Sequence, residues 1–431
     1  MNFYINLRRR NIYGKLIGKI FLILTLSIFY TTDVFAKKVI TFWHHTYPPA
    51  DNFILEKAAA YMKDNPDIEI KFETEAHGDY EVKLLAAIAG GNEPDIMNLL
   101  DYLIPRYATK GVLAPLNPKA FGVNTLDEVK AMYTPAALEG LTLDGQVYAT
   151  PEEFNTLALF INGDHMRDIG LNPDDPINHP KTWNDLFDLG QKLGEGAPNR
   201  VGFNWVWLLD PYWYAQQYWP ILVQYGCEVF DSSGNAAINS GACVKAFTET
   251  WRAPIDRGLG GPEIASGNKV NALDDFSNGN NSMAIAGIWA PPSFSEAVSK
   301  VYVAVPLPQL NPDNPKTLHN SYALGVSARS EVQDEAYAFI RYLTSDSDGY
   351  LKNAGYVTGF KDWQKTDVAK TVKGSQVFAT GQLYGSFVWR SETWTEEGNA
   401  IKAGLEEIAQ GVPVYKALNK VNAELNKIRG N

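Results

Sequence analysis

Cysteine is nearly absent: Cys227 and Cys243 are the only two among 431 residues. Two isolated thiols lack the spacing of a zinc site or a redox motif, and the chain calls for no metal and no cofactor. A membrane-spanning run is missing as well. The apolar stretch Ile20–Tyr30 is eleven residues long, whereas a helix needs about 20 to cross a bilayer. Positive charge is in deficit, with 38 Lys and Arg against 49 Asp and Glu and a net charge of −11. Such a chain repels phosphate backbones and anionic lipids, and it permits a neutral or cationic ligand. The usual enzyme signatures are also lacking: there is no Gly-x-Ser-x-Gly elbow, phosphate loop, His-Glu-x-x-His or dinucleotide fingerprint. An enzyme with dispersed catalytic residues is not excluded on that ground.

What is present begins with a leader. Arg8, Arg9, Arg10, Lys15 and Lys19 precede the apolar run, and Val34 and Ala36 stand just before Lys37, the pattern of a secretory signal peptide over residues 1–36. No cysteine follows to take a lipid, so the expected product is periplasmic and released rather than anchored. Without its leader the chain of 431 is 395 residues long and carries about −15, enough chain for two lobes. In an oxidising compartment Cys227 and Cys243, sixteen positions apart, read as one structural disulfide.

From Lys38 onward short apolar strands alternate with helices. Strands are expected at Lys38–Trp43, Ile68–Glu73 and around Asp95–Leu99, with helices ending near Met62 and spanning Tyr80–Ala89. That alternation predicts an α/β fold with a mainly parallel sheet covered on both faces, and such sheets bind ligands beyond the carboxyl ends of their strands. Val147–Ile161 reads as an extended segment able to connect lobes. A helix is expected from Thr182, with Asp185 completing its cap. Further strands are expected at Ser282–Ala286, Val301–Val305 and Ser321–Ser327.

Aromatic residues are plentiful, 11 of them Trp. Between Phe203 and Trp219 eight of seventeen residues are aromatic; most are expected in the core, with one or two facing a cleft. Aromatic platforms and planar polar groups together are what the faces and hydroxyl rims of a sugar require. Asp101 falls at the carboxyl edge of a strand, where it serves either hydroxyl binding or helix capping. His44 and His45 are adjacent, and neighbouring side chains on a strand point to opposite faces, which argues against a metal. Glu152 and Glu153 should diverge for the same reason and not form a glycosidase pair.

Several segments, in this order and spacing, carry a resemblance: VITFWH, YEVKLLAAIAGGNEPDI, YATKGVLAPL, DGQVYATPEEFNTLALFIN, KTWNDLFDLGQKL, NSMAIAGIW, VAVPLPQL and AYAFIRYLTS. Over essentially the whole mature chain the sequence resembles the family 1 extracellular solute-binding proteins, the group that includes the maltose-binding protein. The resemblance implies a type II periplasmic binding fold, with two discontinuous α/β lobes and a ligand cleft between them. Lobe one would comprise 37–152 and 308–343, and lobe two 153–307 and 344–431, with crossings near Pro151–Phe154, Pro306–Gln309 and Leu343–Ser345. It also implies ligand contacts at Trp43, His45, Tyr47, Asp101, Asn155 and Trp289, with Trp205, Tyr212 and Trp394 as further platforms. Asn155 departs from the family's pattern, since an amide replaces a two-way carboxylate acceptor. The implied function is capture of a sugar, oligosaccharide or polyol by a monomer, and delivery to the permease subunits of an ABC importer, without nucleic acid. The alternatives are a periplasmic glycan-degrading enzyme and a binder of polyamines or other cations.

Overall fold

The computed structural model describes residues 37–207, 210–260 and 271–430; the leader predicted over residues 1–36 lies outside them. Among the described residues no helix is long and apolar enough to cross a membrane.

The first five elements follow the expected alternation: β1 (Lys38–His45), α1 (Pro48–Asp64), β2 (Ile68–Glu75), α2 (His77–Gly90) and β3 (Ile96–Leu100). Ile40, Phe42, Ile68 and Ile70 are buried in one core with Phe53 and Ile54 of α1. Pro48 opens α1, where its missing N–H would have no intrahelical partner anyway. Gly91, left-handed at φ 68°, ends α2. β1 pairs in parallel with both β2 and β3.

The extended segment after Val147 is two strands in two different sheets. β4 (Ala149–Asn155) belongs to the first sheet and β5 (Ala158–Asn162) to the second. The chain therefore passes between lobes from Asn155 to Ala158. In the second sheet β5 is flanked by β6 (Met283–Ala286) and β7 (Tyr302–Pro306), both antiparallel to it. After Pro306 the chain returns and enters the first sheet as β8 (Asn320–Val326), giving the order β2-β1-β3-β8-β4. β8 is antiparallel to β3 and β4.

In the two larger sheets the mainly parallel expectation therefore holds for β1 to β3; a short parallel pair, Thr317–Leu318 with Gly385–Ser386, stands apart from them. β8 re-enters at the edge by which β4 leaves, so it must run the other way. β6 and β7 likewise lead back toward the cleft that β5 leads away from.

α3 (Trp183–Glu195) opens with the expected capping box: Thr182 Oγ1 accepts from Asp185 N at 3.2 Å, and Asp185 Oδ2 accepts from Thr182 N at 2.9 Å. α4 (Pro211–Tyr225) carries the aromatic cluster. α5 (Gln333–Ser345) and α6 (Ser347–Ala354) both pack on α1. Tyr350 and Tyr356 belong to the core of the first lobe and Trp363 to that of the second. The third passage thus falls after α6, a helix later than Leu343–Ser345. α7 (Trp394–Ala409) and α8 (Val414–Arg429) close the second lobe against α4 and each other.

Cys227 and Cys243 are bonded to each other just beyond the end of α4. Replacing both by Ala should cost about 3 kcal/mol, the loop-closure entropy of such a ring. Urea unfolding of the double variant measures this, and an unchanged midpoint would contradict a structural role.

Candidate functional site

The carboxyl ends of β1, β3 and β4 and the start of β8 meet at one sheet edge, and α4 and the exit of β6 face them from the other lobe. Between them lies a cavity of about 600 Å³, counting the space that opens to solvent. His45, Thr46 and Tyr47 after β1, His77 at the head of α2, Glu153 on β4, Asn320 and Tyr322 on β8, and Tyr356 after α6 line it from the first lobe. Trp213, Gln216 and Trp289 line it from the second.

Local sequence explains the second wall. Asp210 caps α4 by accepting from Tyr212 N at 2.7 Å, and Pro211 follows at the first helical position. Three residues apart on that helix, Trp213 and Gln216 share a face. Trp289 leaves β6 through Gly287, where an added Cβ would come within 1.9 Å of Asn155 Nδ2 and 2.4 Å of Trp289 Nε1. Only glycine fits there. Tyr47 then holds the turn by donating to Trp289 O at 2.7 Å.

The walls are mostly rings. Trp213 and Trp289 meet edge-on at 5.5 Å, Tyr47 and Tyr356 stack at 5.4 Å, and His45 stacks on Tyr322 at 4.2 Å.

Under these rings runs a buried polar network. His44 Nε2 lies 3.1 Å from Glu152 Oε2, which also accepts from Asn98 Nδ2 at 2.7 Å; Tyr350 donates to Glu152 Oε1 at 2.8 Å. Burial pulls His44 toward neutrality, but Glu152 and Asp51 outweigh it and raise its pKa to about 9. Burial drives His45 well below its ordinary value, helped by His44 and His77, so it is neutral. Its Nδ1 meets Asn98 Oδ1 at 2.8 Å. That oxygen only accepts, so Nδ1 carries the proton and Nε2 is left as an acceptor.

Glu153 points the other way. Its Oε1 accepts from Asn155 Nδ2 at 2.9 Å, and burial raises its pKa to about 8. The two glutamates diverge as expected, and a bulge helps: Tyr322 opposes Glu153 and Ala323 opposes Pro151, leaving Glu152 as the extra residue.

Three buried polar atoms close to the cavity have no hydrogen-bond partner: Asp101 Oδ2, Tyr212 OH and Asn320 Oδ1. Asp101 acts on Tyr212 through its charge and Asn320 through a side-chain hydrogen bond too loose to count as a partner, which places the three together. Asp101 Oδ1 accepts from Ser321 N at 3.1 Å, and burial raises its pKa to about 7.

Of the residues expected to contact ligand, His45, Tyr47 and Trp289 line the cavity. Asp101 and Tyr212 lie behind Asn320. Asn155 is a strut, accepting from Thr156 N and Ile288 N and donating to Glu153. The other three are elsewhere. Trp43 alternates onto the α2 face of β1, under Lys83. Trp205 is fully buried and stacks on Trp251, donating to its backbone carbonyl. Trp394 stacks on Tyr102 of the first lobe at 3.7 Å, an interlobe contact rather than an open platform. His44 and His45 do not point apart: strand pairing ends there, and their rings stack at 4.5 Å.

Reasoning from sequence missed His77, Trp213, Gln216, Asn320, Tyr322 and Tyr356 and set Glu153 aside. The strand-end rule would have reached His77 just past β2, and Tyr322 lies on the expected strand Ser321–Ser327; Asn320 falls one residue before it and joins the strand only in the structure.

Two α/β lobes, joined by three crossings around a ring-lined cleft, define a solute-binding protein of the type II periplasmic kind. The chain belongs to the bacterial extracellular solute-binding protein family, whose sequence model matches residues 47–350. It is 25% identical over 306 residues to the galactooligosaccharide-binding protein of Bacillus subtilis, covering 69% of this chain and 67% of that one. It is 23% identical over 430 residues to the lactose-binding protein of Rhizobium radiobacter, covering 91% and 93%. Its fold matches that of an ABC substrate-binding protein from Listeria monocytogenes, solved with cycloalternan, with a TM-score of 0.79 at 22% identity, covering 91% of this chain and 99% of that one.

The site's titrations set a pH dependence. Glu153, Asp101 and His44 all have raised pKa values in the fold. Each therefore contributes stability that is full below its unfolded value and is lost as pH rises through the folded one. Above about pH 7.5, a unit beyond the ordinary histidine value, the lowered His45, His165 and His319 are largely neutral in both states and add little slope. The melting temperature of the unliganded protein should fall between about pH 7.5 and 9, and Glu153→Gln should flatten the part near pH 8. A melting temperature that is flat or rising across that window contradicts these assignments.

Proposed function

We propose that the protein is the exported, released solute-binding component of an ABC-type importer, that it works as a monomer, and that it captures a carbohydrate by closing its lobes over it. The observation that carries this reading is the pairing of ring walls with polar groups that line the same cavity: Glu153, Gln216, His45 and Asn320, whose Oδ1 lacks a partner. Sugar C–H faces pack on Trp213, Trp289 and Tyr322. Sugar hydroxyls, which both donate and accept, suit Glu153, Gln216, His45 Nε2 and the Asn320 group. An unpaired buried polar atom costs about 1–3 kcal/mol, and a sugar hydroxyl that reaches Asn320 Oδ1 would supply the partner it lacks. Among the described residues lining the cavity there is no Lys or Arg, which disfavours a phosphorylated ligand and, with the net charge of −11, a nucleic acid.

The chain performs no chemistry on this reading. Glycoside hydrolysis needs two carboxyl groups flanking the bond. Glu153 is the only carboxyl group among the described lining residues, and Glu152 is committed to His44, Asn98 and Tyr350.

Thermal shift of the mature chain against mono- and oligosaccharides, polyols and polyamines tests this. A ligand at 100 times its dissociation constant adds about 2.7 kcal/mol. A sugar should raise the melting temperature and be recovered unchanged, and Trp289→Ala should weaken it by about tenfold or more. A sugar consumed, or a polyamine bound in its place, overturns the reading.

A further inference from the structure

The cleft does not end at its first cavity. A second, of about 1230 Å³ counting its open space, lies beyond it and shares His45, His77 and Tyr322 as lining residues. Between the two stands a bar built from both lobes. His77 is the first residue of α2; its Nδ1 lies 3.0 Å from Asp210 Oδ2, at the head of α4 across the cleft. Its Nε2 is hydrogen-bonded to the Tyr322 hydroxyl, and its ring tilts against Trp213 at 6.3 Å. Each part of the bar is therefore held from a different element: α2, β8 and α4.

The two sides of the bar differ. On the near side stand the ring walls of Trp213, Trp289, Tyr47 and Tyr356. On the far side are Asp79, Glu81, Tyr102, Thr395 and Asn399 beside Leu85 and Leu103, which mix hydroxyl-binding groups with apolar surface as a sugar subsite does. The bar, with the stacked His45 and Tyr322 that also line both spaces, stands between this solvent-open space and the first.

We propose that the His77–Asp210 pair sets ligand length, confining the solute to one or two sugar rings on the near side and shutting off the adjoining, solvent-open space, which is able to take a further ring. The inference rests on the carbohydrate reading above. His77 and Asp210 act here as specificity determinants.

Asp210 also caps α4, so its replacement must keep that role. Serine is as good a cap but too short to reach His77, which makes Asp210→Ser the cleaner variant, with His77→Ala as its partner from the other lobe. Isothermal titration of wild type and both variants with glucose, maltose and maltotriose, and with galactose, lactose and a galactosyl-lactose, reads the result. In wild type the trisaccharide should bind no tighter than the disaccharide. In both variants the ratio of trisaccharide to disaccharide affinity should rise about tenfold or more, the worth of one or two added hydrogen bonds.

A variant that merely loosens the fold weakens every sugar alike and leaves the ratio unmoved. An unmoved ratio in both variants, or a wild type that already prefers the trisaccharide, overturns the inference while leaving the carbohydrate reading intact. Binding of no sugar by any of the three proteins overturns both.

Discussion

His44 is wholly buried yet has a raised pKa, and it stays so because Glu152, equally buried, stands 3.1 Å away. Removing two charges from water is expensive, and a buried pair rarely adds net stability over an apolar substitute. What it adds here is register. The pair joins β1 to β4, the strand that leaves for the other lobe. Asn98 brings in β3 and Tyr350 brings in α6. Because the bulge gives Glu152 to the interior, Glu153 turns to the cleft and Asn155 to its strut against the second lobe. A slip of one residue would exchange them. The ring walls, the neutral His45 and the crossing itself all depend on that register.

The same arrangement shows how binding is coupled to shape. Cavity residues come from both lobes, and the contacts between the lobes include His77 with Asp210, Tyr47 with the Trp289 carbonyl, Tyr102 with Trp394, Arg106 with Glu396 and Thr395 with Glu81. A ligand favours a closed form only by contacts that exist when the lobes meet. Trp213, Trp289 and Gln216 can face Glu153, Asn320 and Tyr322 only in that form. The adjacent crossings, through Asn155 and Pro306, leave few backbone positions to bend, which suits hinge closure.

Much of the fold was legible in the sequence. Short apolar runs spaced by helical segments located β1 to β3 within a few residues, and the Thr182–Asp185 cap was read correctly. Strand direction was not legible: whether β8 runs up or down depends on where the chain re-enters, which no local pattern records. The site was half legible, for the same physical reason. His45, Tyr47 and Trp289 follow strand ends, and strand ends are visible. Trp205, Trp213 and Trp394 look alike in sequence, yet they lie respectively in the core, on the cavity and at the lobe interface, because only the packing of α4 and α7 decides which face each ring takes. The pairing of His44 with Glu152, 108 positions apart, depends on a bulge that the sequence does not announce.

The central claim is that one cleft, assembled from two lobes on this buried register, closes over its solute. Small-angle X-ray scattering on the mature chain, with and without a sugar that binds, tests it most directly. The account predicts a radius of gyration that is larger without ligand and contracts on saturation. A radius that does not change when a tightly bound sugar fills the site would contradict it.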